Sequence, residues 1–325
     1  MKKYDVAIVG VTGLVGQTFL KVLQEYNFPI NKLVLYASKK SAGKMIEYDG
    51  NFYNVRELNV DNIEKVDFVF MSAGEKVSLK YAPLFEEQGA IVIDNSSAWR
   101  MNDDCALIVP EVNMDSLIGK RNIIANPNCS TIQCMLPLYA LSKNYEIIEV
   151  RYVTYQAVSG SGIKGINDLN NGINNKTMNF YPCDISRNCL PQIGELLENG
   201  YTKEEIKMVN ETKKILNNNN IKISATCIRV PIEKCHSILV MIKFSKSFNV
   251  NDIYKLLSSQ DEIIIRDIPL ADDAKDSDKI IVGRIRKDLI DDKSLYFYCV
   301  ADNIRKGAAS NAVQIAKNIL KFNVE

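Results

Sequence analysis

The chain has 325 residues, of which 46% are apolar and 24% charged, with a formal net charge of +1. That length exceeds one small core and suits two domains. The near-zero charge gives no reason to expect nucleic acid or an anionic membrane surface as a partner, and no apolar run approaches the ~20 residues of a membrane span.

At the N-terminus, the apolar stretch within Met1–Gly10 is brief, runs into glycines and Thr12, and lacks a clear cleavage site. This predicts a cytoplasmic protein rather than one with a signal peptide. The eight cysteines (Cys105, Cys129, Cys134, Cys183, Cys189, Cys227, Cys235 and Cys299) are scattered, mostly in apolar segments, and predict reduced thiols. Cys183, Cys189, Cys235 and His236 match no common zinc spacing, so no metal is expected.

In chain order, short apolar strands are expected at Val6–Val9, Leu33–Tyr36, Phe68–Met71, Ile91–Ile93 and Asn122–Ala125, with helical patterns at Thr18–Glu25 and Lys76–Gln88. Strands alternating with helices predict an α/β fold, a doubly wound parallel sheet of the Rossmann type. From about Cys129 the texture changes. Longer strands are expected at Glu149–Ala157, Ile221–Pro231 and Ser237–Lys243, polar loops at Asn170–Asn175 and Asn217–Asn220, and a helix from Tyr201 to about Leu216. This half reads as an α+β mixed sheet with helices packed on it. Ala312, Ile315, Ala316 and Ile319 give the segment Gly307–Phe322 a helical stripe.

Gly10-Val11-Thr12-Gly13-Leu14-Val15-Gly16 follows the first strand and opens the first helix. Glycines there allow a tight turn and close approach of a pyrophosphate to the helix N-terminus, so a dinucleotide site is expected; the alternative is a turn chosen for packing alone. The second strand ends in Ala37-Ser38-Lys39-Lys40-Ser41-Ala42-Gly43, with no acid to bind a ribose 2′-hydroxyl. Two hydroxyls and two cations suit a 2′-phosphate, hence NADP, or form a solvated basic loop.

Ile123-Ile124-Ala125-Asn126-Pro127-Asn128-Cys129-Ser130-Thr131 is a short strand that delivers a cysteine to a helix start. The half-positive charge and unpaired N–H groups there favour thiolate, which makes Cys129 a candidate nucleophile for acyl transfer. His236 is the sole histidine, and a hairpin-like return from Arg229 would bring the two to one end of a sheet. If the chemistry needs an imidazole near neutral pH, only His236 supplies it. Arg229 lies in an apolar strand and needs an anion, either an internal carboxylate or a substrate carboxylate. Gln156 precedes the glycine-rich turn Ser159-Gly160-Ser161-Gly162, which is either a cofactor approach or a flexible connection. Glu204 and Lys207 stand at i,i+3, a spacing most often used for surface ion pairs.

Taken together in their order and spacing, these segments, with Asn95-Ser96-Ser97-Ala98-Trp99-Arg100 and Lys306–Gln314, closely resemble the aspartate-β-semialdehyde dehydrogenase family over nearly the full length. The resemblance implies Cys129 as nucleophile, His236 as acid–base group, and Gln156 and Asn128 as residues orienting the acyl group. It implies Arg229 for the substrate carboxylate, Glu204 for the amino group, and Arg100 with Lys207 for phosphate. Cofactor contacts are implied at Gly10, Thr12, Gly13, Leu14, Val15, Gly16, Ser38, Lys40, Ser41, Ser72, Gly74, Ser159, Gly160, Asn311 and Gln314. The implied domains are a dinucleotide-binding domain of residues 1–128 and 306–325 and a catalytic and dimerisation domain of residues 129–305. The implied reaction is NADP-dependent reductive dephosphorylation of L-aspartyl 4-phosphate through a thioester, feeding lysine, diaminopimelate, threonine and methionine synthesis, in a homodimer or higher homo-oligomer. Lys40 stands where the family often has arginine. It keeps the charge but loses the planar fork, which leaves the NADP preference open. The rival readings are N-acetylglutamyl-phosphate reductase, on a similar frame, and a dinucleotide-binding regulatory protein without chemistry.

Overall fold

The structure, a computed structural model, describes residues 2–322. The chain forms two compact units, one of Met1–Pro127 with Ala308–Glu325 and the other of Asn128–Gly307.

The first unit begins with β1 (Tyr4–Val9), α1 (Leu14–Glu25) and β2 (Ile30–Ala37). A hairpin follows, β3 (Met45–Tyr48) and β4 (Asn51–Glu57), then β5 (Phe68–Met71), α2 (Glu75–Glu87), β6 (Ile91–Asp94), the single turn α3 (Pro110–Asn113) and β7 (Ile123–Ala125). The seven strands line up as β3-β4-β2-β1-β5-β6-β7, all parallel except the β3–β4 pair. The strand order reverses at β1, and in doubly wound sheets the crevice at that point, beyond the strand C-termini, is where ligands bind. The glycine loop leaves β1 there.

The hairpin is an addition to the expected strands. Its turn is Asp49-Gly50, both at positive φ (51° and 73°), the conformation a tight hairpin demands. The core stacks Val6 and Ile8 of β1 and Phe68 and Phe70 of β5 against Phe19 and Leu23 of α1. The Phe19 and Phe70 rings lie 5.2 Å apart, and burying each such side chain is worth about 1.5–3 kcal/mol.

The second unit contains α4 (Cys129–Ser142), β8 (Ile147–Gln156), α5 (Ile163–Ile173), α6 (Lys203–Ile215), β9 (Lys222–Arg229) and β10 (His236–Phe244). It continues with α7 (Val250–Ser258), β11 (Ile263–Ile265), α8 (Ala271–Ala274), β12 (Ile280–Lys287) and β13 (Ser294–Ala301). Its mixed sheet runs β11-β12-β13-β10-β8-β9. The chain then passes through a π-helical stretch, Arg305–Ser310, into α9 (Asn311–Phe322). Ala312, Val313, Ile315 and Ala316 of α9 join the core of the first unit.

Two expectations change. Most of Asn170–Asn175, read as a loop, completes α5. Ile166 and Leu169 pack with Val158 and Ile185, and that apolar stripe overrides the weak helix propensity of the asparagines. Arg229 and His236 do reach the same end of the sheet, but not through a hairpin. β8 lies between their strands, with Gln156 in register with Arg229 on one side and Tyr155 with Ser237 on the other. Residues 230–235 therefore cross the end of β8, with Val158 N–H donating to the Ile232 carbonyl and Cys235 at φ +73°. Among the described residues, no helix is long and apolar enough to cross a membrane.

Candidate active site

Cys129 is the first residue of α4 and is half-buried. Asn128 caps the helix, its side-chain carbonyl accepting from Ser130 N–H at 2.9 Å. The Asn128 amide nitrogen donates to Glu204 at 2.8 Å, and Gln156 donates to the same carboxylate oxygen at 3.3 Å. The second Glu204 oxygen faces the Lys207 ammonium at 3.3 Å. The i,i+3 pair is thus no surface ornament: Glu204 is buried and sits at the centre of the site. Burial opposes its ionisation, but Lys207 and the two amides outweigh burial and hold the carboxyl below the usual range.

The start of α6 is fixed by a capping box. Thr202 accepts from Glu205 N–H, and Glu205 accepts from Thr202 N–H at 2.7 Å. Glu205 also accepts from Cys227 N–H at 2.9 Å, which ties α6 to β9.

Arg229 is buried, donates from Nη1 to the Ala157 carbonyl at 2.6 Å, and its Nε has no partner. Among the described residues no carboxylate pairs with it, so the internal salt bridge is absent and the guanidinium retains capacity for an anion. Gly160 leaves room for one. A Cβ there would lie 2.8 Å from Arg229 Nη1 and 3.2 Å from both Cε1 and Nε2 of His236.

His236 is fully buried, and Ala157 N–H donates to its Nδ1 at 3.0 Å. A neutral imidazole that accepts at Nδ1 carries its proton on Nε2. The 3.4 Å approach of the Gln156 amide nitrogen to Nε2 therefore sets one donor beside another. Burial first, and the Arg229 cation second, hold the imidazole well below its ordinary pKa. Burial pushes the Cys227 and Cys235 thiols each up to about 12.

Four residues at this site were not singled out in the sequence. Glu211 of α6 accepts the backbone N–H of Asn128 at 2.6 Å. Gln133, one turn beyond Cys129, donates to the His236 carbonyl at 3.1 Å. Asn303 exchanges hydrogen bonds with Ser159 and accepts from Cys235 N–H at 2.9 Å. Gly307 packs so closely that a Cβ would lie 2.8 Å from the Cys129 Cβ. Only the Gln133 spacing, i+4 from Cys129, left a trace in the sequence; the other three act through long-range packing.

In the first unit, Gly10 N–H and Val11 N–H donate to the Tyr36 carbonyl. A Cβ on Gly10 would lie 2.3 Å from the Ser72 carbonyl oxygen, and one on Gly16 would lie 2.2 Å from the Gly10 carbonyl oxygen. These two glycines serve the turn and bring Ser72 against the loop. Gly13 has no such crowding. The N-terminus of α1 that it precedes has no side-chain cap and no acid in its first turn, which suits a pyrophosphate beside Thr12, Leu14 and Val15. Gly74, at φ +85°, precedes α2 in the same way after β5. Ser38 and Lys40 are exposed and Ser41 half-exposed at the end of β2.

Arg100 is buried, donating to the Asn126 and Asn95 carbonyls at 3.0 and 2.9 Å. Asn311 donates to the Ile108 carbonyl and the Asn126 side chain. Gln314 is not gathered to the glycine loop. It reaches Tyr26, at the C-terminal end of α1, whereas the loop lies at the other end.

Residues 5–119 match the family described as semialdehyde dehydrogenase, NAD binding domain, and residues 137–306 match semialdehyde dehydrogenase, dimerisation domain. Aspartate-semialdehyde dehydrogenase of Aquifex aeolicus is 46% identical over 98% of both chains. That of Campylobacter jejuni is 42% identical over 99% of this chain and 98% of its own. The chain belongs to the aspartate-semialdehyde dehydrogenase family. A crystal structure of aspartate semialdehyde dehydrogenase II complexed with ASA, from Vibrio cholerae, superposes with a TM-score of 0.94 at 39% identity, covering 99% of each chain. Membership in the aspartate-semialdehyde dehydrogenase family makes the chain an oxidoreductase that uses a nicotinamide dinucleotide, and it sets aside both N-acetylglutamyl-phosphate reductase and a regulatory protein without chemistry.

Proposed function

We propose that the protein catalyses the reversible reductive dephosphorylation of L-aspartyl 4-phosphate to L-aspartate 4-semialdehyde, with NADP as cofactor and a thioester on Cys129 as intermediate. The observation that carries this reading is the shared Glu204 carboxylate. It joins the residue before Cys129 to Gln156, and Gln156 lies against His236.

The Glu204 carboxylate takes the substrate ammonium and Arg229 the α-carboxylate, so the two charges of a free amino acid are both recognised. These contacts and Gln156 and Asn128 hold the 4-acyl carbon for attack by the Cys129 thiolate. Arg100 and Lys207 attract the phosphate as it leaves. Sulfur suits both halves of the reaction, being a good nucleophile and a tolerable leaving group. His236 is the acid–base group, protonating or deprotonating the acyl oxygen or the sulfur as each step requires.

The bare N-terminus of α1 and the uncrowded Gly13 fit a dinucleotide pyrophosphate, and Ser38, Lys40 and Ser41 fit a 2′-phosphate. Ser159, Gly160 and Asn311 complete the contacts implied for the cofactor. When bound, the nicotinamide supplies or accepts the hydride. The first unit is the dinucleotide-binding domain, and the second the catalytic and dimerisation domain of a cytoplasmic homodimer.

The test is phosphate-dependent reduction of NADP by L-aspartate 4-semialdehyde, repeated with NAD. Turnover that needs phosphate and prefers NADP is expected. Turnover that ignores phosphate overturns the acyl-phosphate reading, and equal use of NAD overturns the cofactor assignment. Light scattering at twice the 36.6 kDa chain mass checks the dimer.

A further inference from the structure

The connection from α5 to α6, residues 174–202, has no helix or regular strand of its own. Connections of that length inside a compact domain are uncommon and usually serve a function. This one is folded. Asp168 of α5 is buried, and its carboxylate accepts three successive backbone N–H groups, from Asn179, Phe180 and Tyr181, at 3.0, 2.8 and 2.8 Å. Val158, Leu169 and Ile185 form a small buried core, and Ile166, Tyr181 and Leu190 pack against it. That core joins three segments into one piece: the turn Val158–Ser161, α5 and the connection.

The piece is fixed to both walls of the space that Gly160 leaves beside Arg229. On one side, Leu190 and Arg229 exchange backbone hydrogen bonds, each N–H donating to the other's carbonyl at 2.8 Å. On the other, the Tyr181 hydroxyl donates to Ser161 Oγ at 2.9 Å, in the turn that contains Gly160. Gly165 makes that bond possible. A Cβ there would lie 2.8 Å from the Tyr181 hydroxyl oxygen, 3.0 Å from the Ser161 Cβ and 2.3 Å from the Val158 carbonyl oxygen. The first half of the turn is held from elsewhere: Val158 N–H and Ser159 N–H donate to the Ile232 and Glu233 carbonyls, and Asn303 holds the Ser159 hydroxyl.

We infer that the connection between α5 and α6 is a brace that sets the width of the opening between Gly160 and Arg229, with Tyr181 as its positioning residue. The inference rests on Arg229 being the ligand of the substrate α-carboxylate. The opening has little slack, since a methyl at Gly160 would already lie 2.8 Å from Arg229 Nη1. A charge-assisted bond from guanidinium to carboxylate needs a separation of about 2.7–2.9 Å. A small displacement of either wall therefore weakens it. Tyr181 acts on the substrate only through the turn.

The Tyr181–Ser161 bond can be broken from either end, by Tyr181→Phe and by Ser161→Ala, without removing a ring or changing a charge. The net worth of one hydrogen bond is a factor of about 2–10, so each variant is expected to raise the KM for L-aspartate 4-semialdehyde by about fivefold. The carboxylate contact is the same in the ground and transition states, so kcat is expected to stay within about twofold of the parent. Both changes remove one and the same bond, so the double variant should also show a rise of about fivefold and not the product of the two.

Urea unfolding reports any loss of stability separately. A lower unfolding midpoint with KM unchanged would make Tyr181 a structural residue only and overturn the inference. A KM rise in Tyr181→Phe that Ser161→Ala does not share, or rises that multiply in the double variant, would overturn it as well. Failure of the carboxylate reading shows elsewhere: Arg229→Leu would leave the same KM unchanged, and the brace would then have no substrate contact to set.

Discussion

The Glu211 carboxylate accepts the backbone N–H of Asn128 at 2.6 Å, two helical turns along α6 from Glu204, which accepts the Asn128 side-chain amide at 2.8 Å. Residues seven apart share a helix face, so one face of α6 grips the residue before the nucleophile at two points. The helix that carries the proposed ammonium and phosphate ligands therefore also sets where Cys129 begins α4. Glu211→Ala removes one of these points and leaves a buried N–H unpaired, at a cost of about 1–3 kcal/mol in urea unfolding. A shift of the nucleophile by about 1 Å lowers kcat up to about 100-fold, with KM little changed. Glu211→Gln, which still offers a carbonyl oxygen, recovers most of both. Unchanged kcat in Glu211→Ala would make the grip irrelevant to turnover.

Gly160 is needed for space and not for backbone freedom, since its φ is not in the left-handed region. Gly160→Ala puts a methyl 2.8 Å from Arg229 Nη1 and 3.2 Å from His236 Nε2. The expected result is a fold that survives, by circular dichroism, with KM raised and kcat lowered by about tenfold each, roughly 1.4 kcal/mol per step.

Lys40 is exposed at the end of β2 and has no carboxylate partner among the described residues. As a point charge on a 2′-phosphate it is worth about 1–2 kcal/mol, so Lys40→Ala lowers the NADP:NAD ratio of kcat/KM by about tenfold. Lys40→Arg raises it. Identical ratios in all three proteins would remove the basic loop from cofactor choice.

His236 makes a defined contribution to the pH dependence of stability. Its folded pKa is depressed by burial and by Arg229, while in the unfolded chain it has its ordinary value. Below about pH 6.5 the unfolded state binds a proton that the folded state refuses, so stability falls with falling pH, by at most about 1.4 kcal/mol per pH unit for one proton. Glu204 acts at lower pH with the same sign. Its folded pKa is lowered, so its contribution is present above the ordinary carboxylate range and lost as pH falls through the folded value. Urea unfolding of the parent and His236→Gln between about pH 7 and about pH 5.5 should show the slope in the first and its loss in the second.

Much of this arrangement was legible in the sequence because it depends on local signals. The glycine loop, the strand that ends before Cys129 and the apolar stripe of α9 are each written in a short window. The β3–β4 hairpin has a local signal as well, the Asp49-Gly50 turn between its strands. What was not legible depends on which strands become neighbours. Gln156 comes to lie between Arg229 and His236 only because β8 inserts between β9 and β10. The i,i+3 spacing of Glu204 and Lys207 looks the same whether a pair is solvated or buried, and only the packing of α6 makes it a site.

The most direct test of the thioester on Cys129 is the mass of the enzyme incubated with L-aspartate 4-semialdehyde and NADP in the absence of phosphate. Without phosphate to release it, an aspartyl adduct should accumulate on the Cys129 peptide, disappear on addition of phosphate, and be absent in Cys129→Ala, which still binds NADP but does not turn over. Substantial turnover by Cys129→Ala, with no adduct on the parent enzyme, would contradict the account.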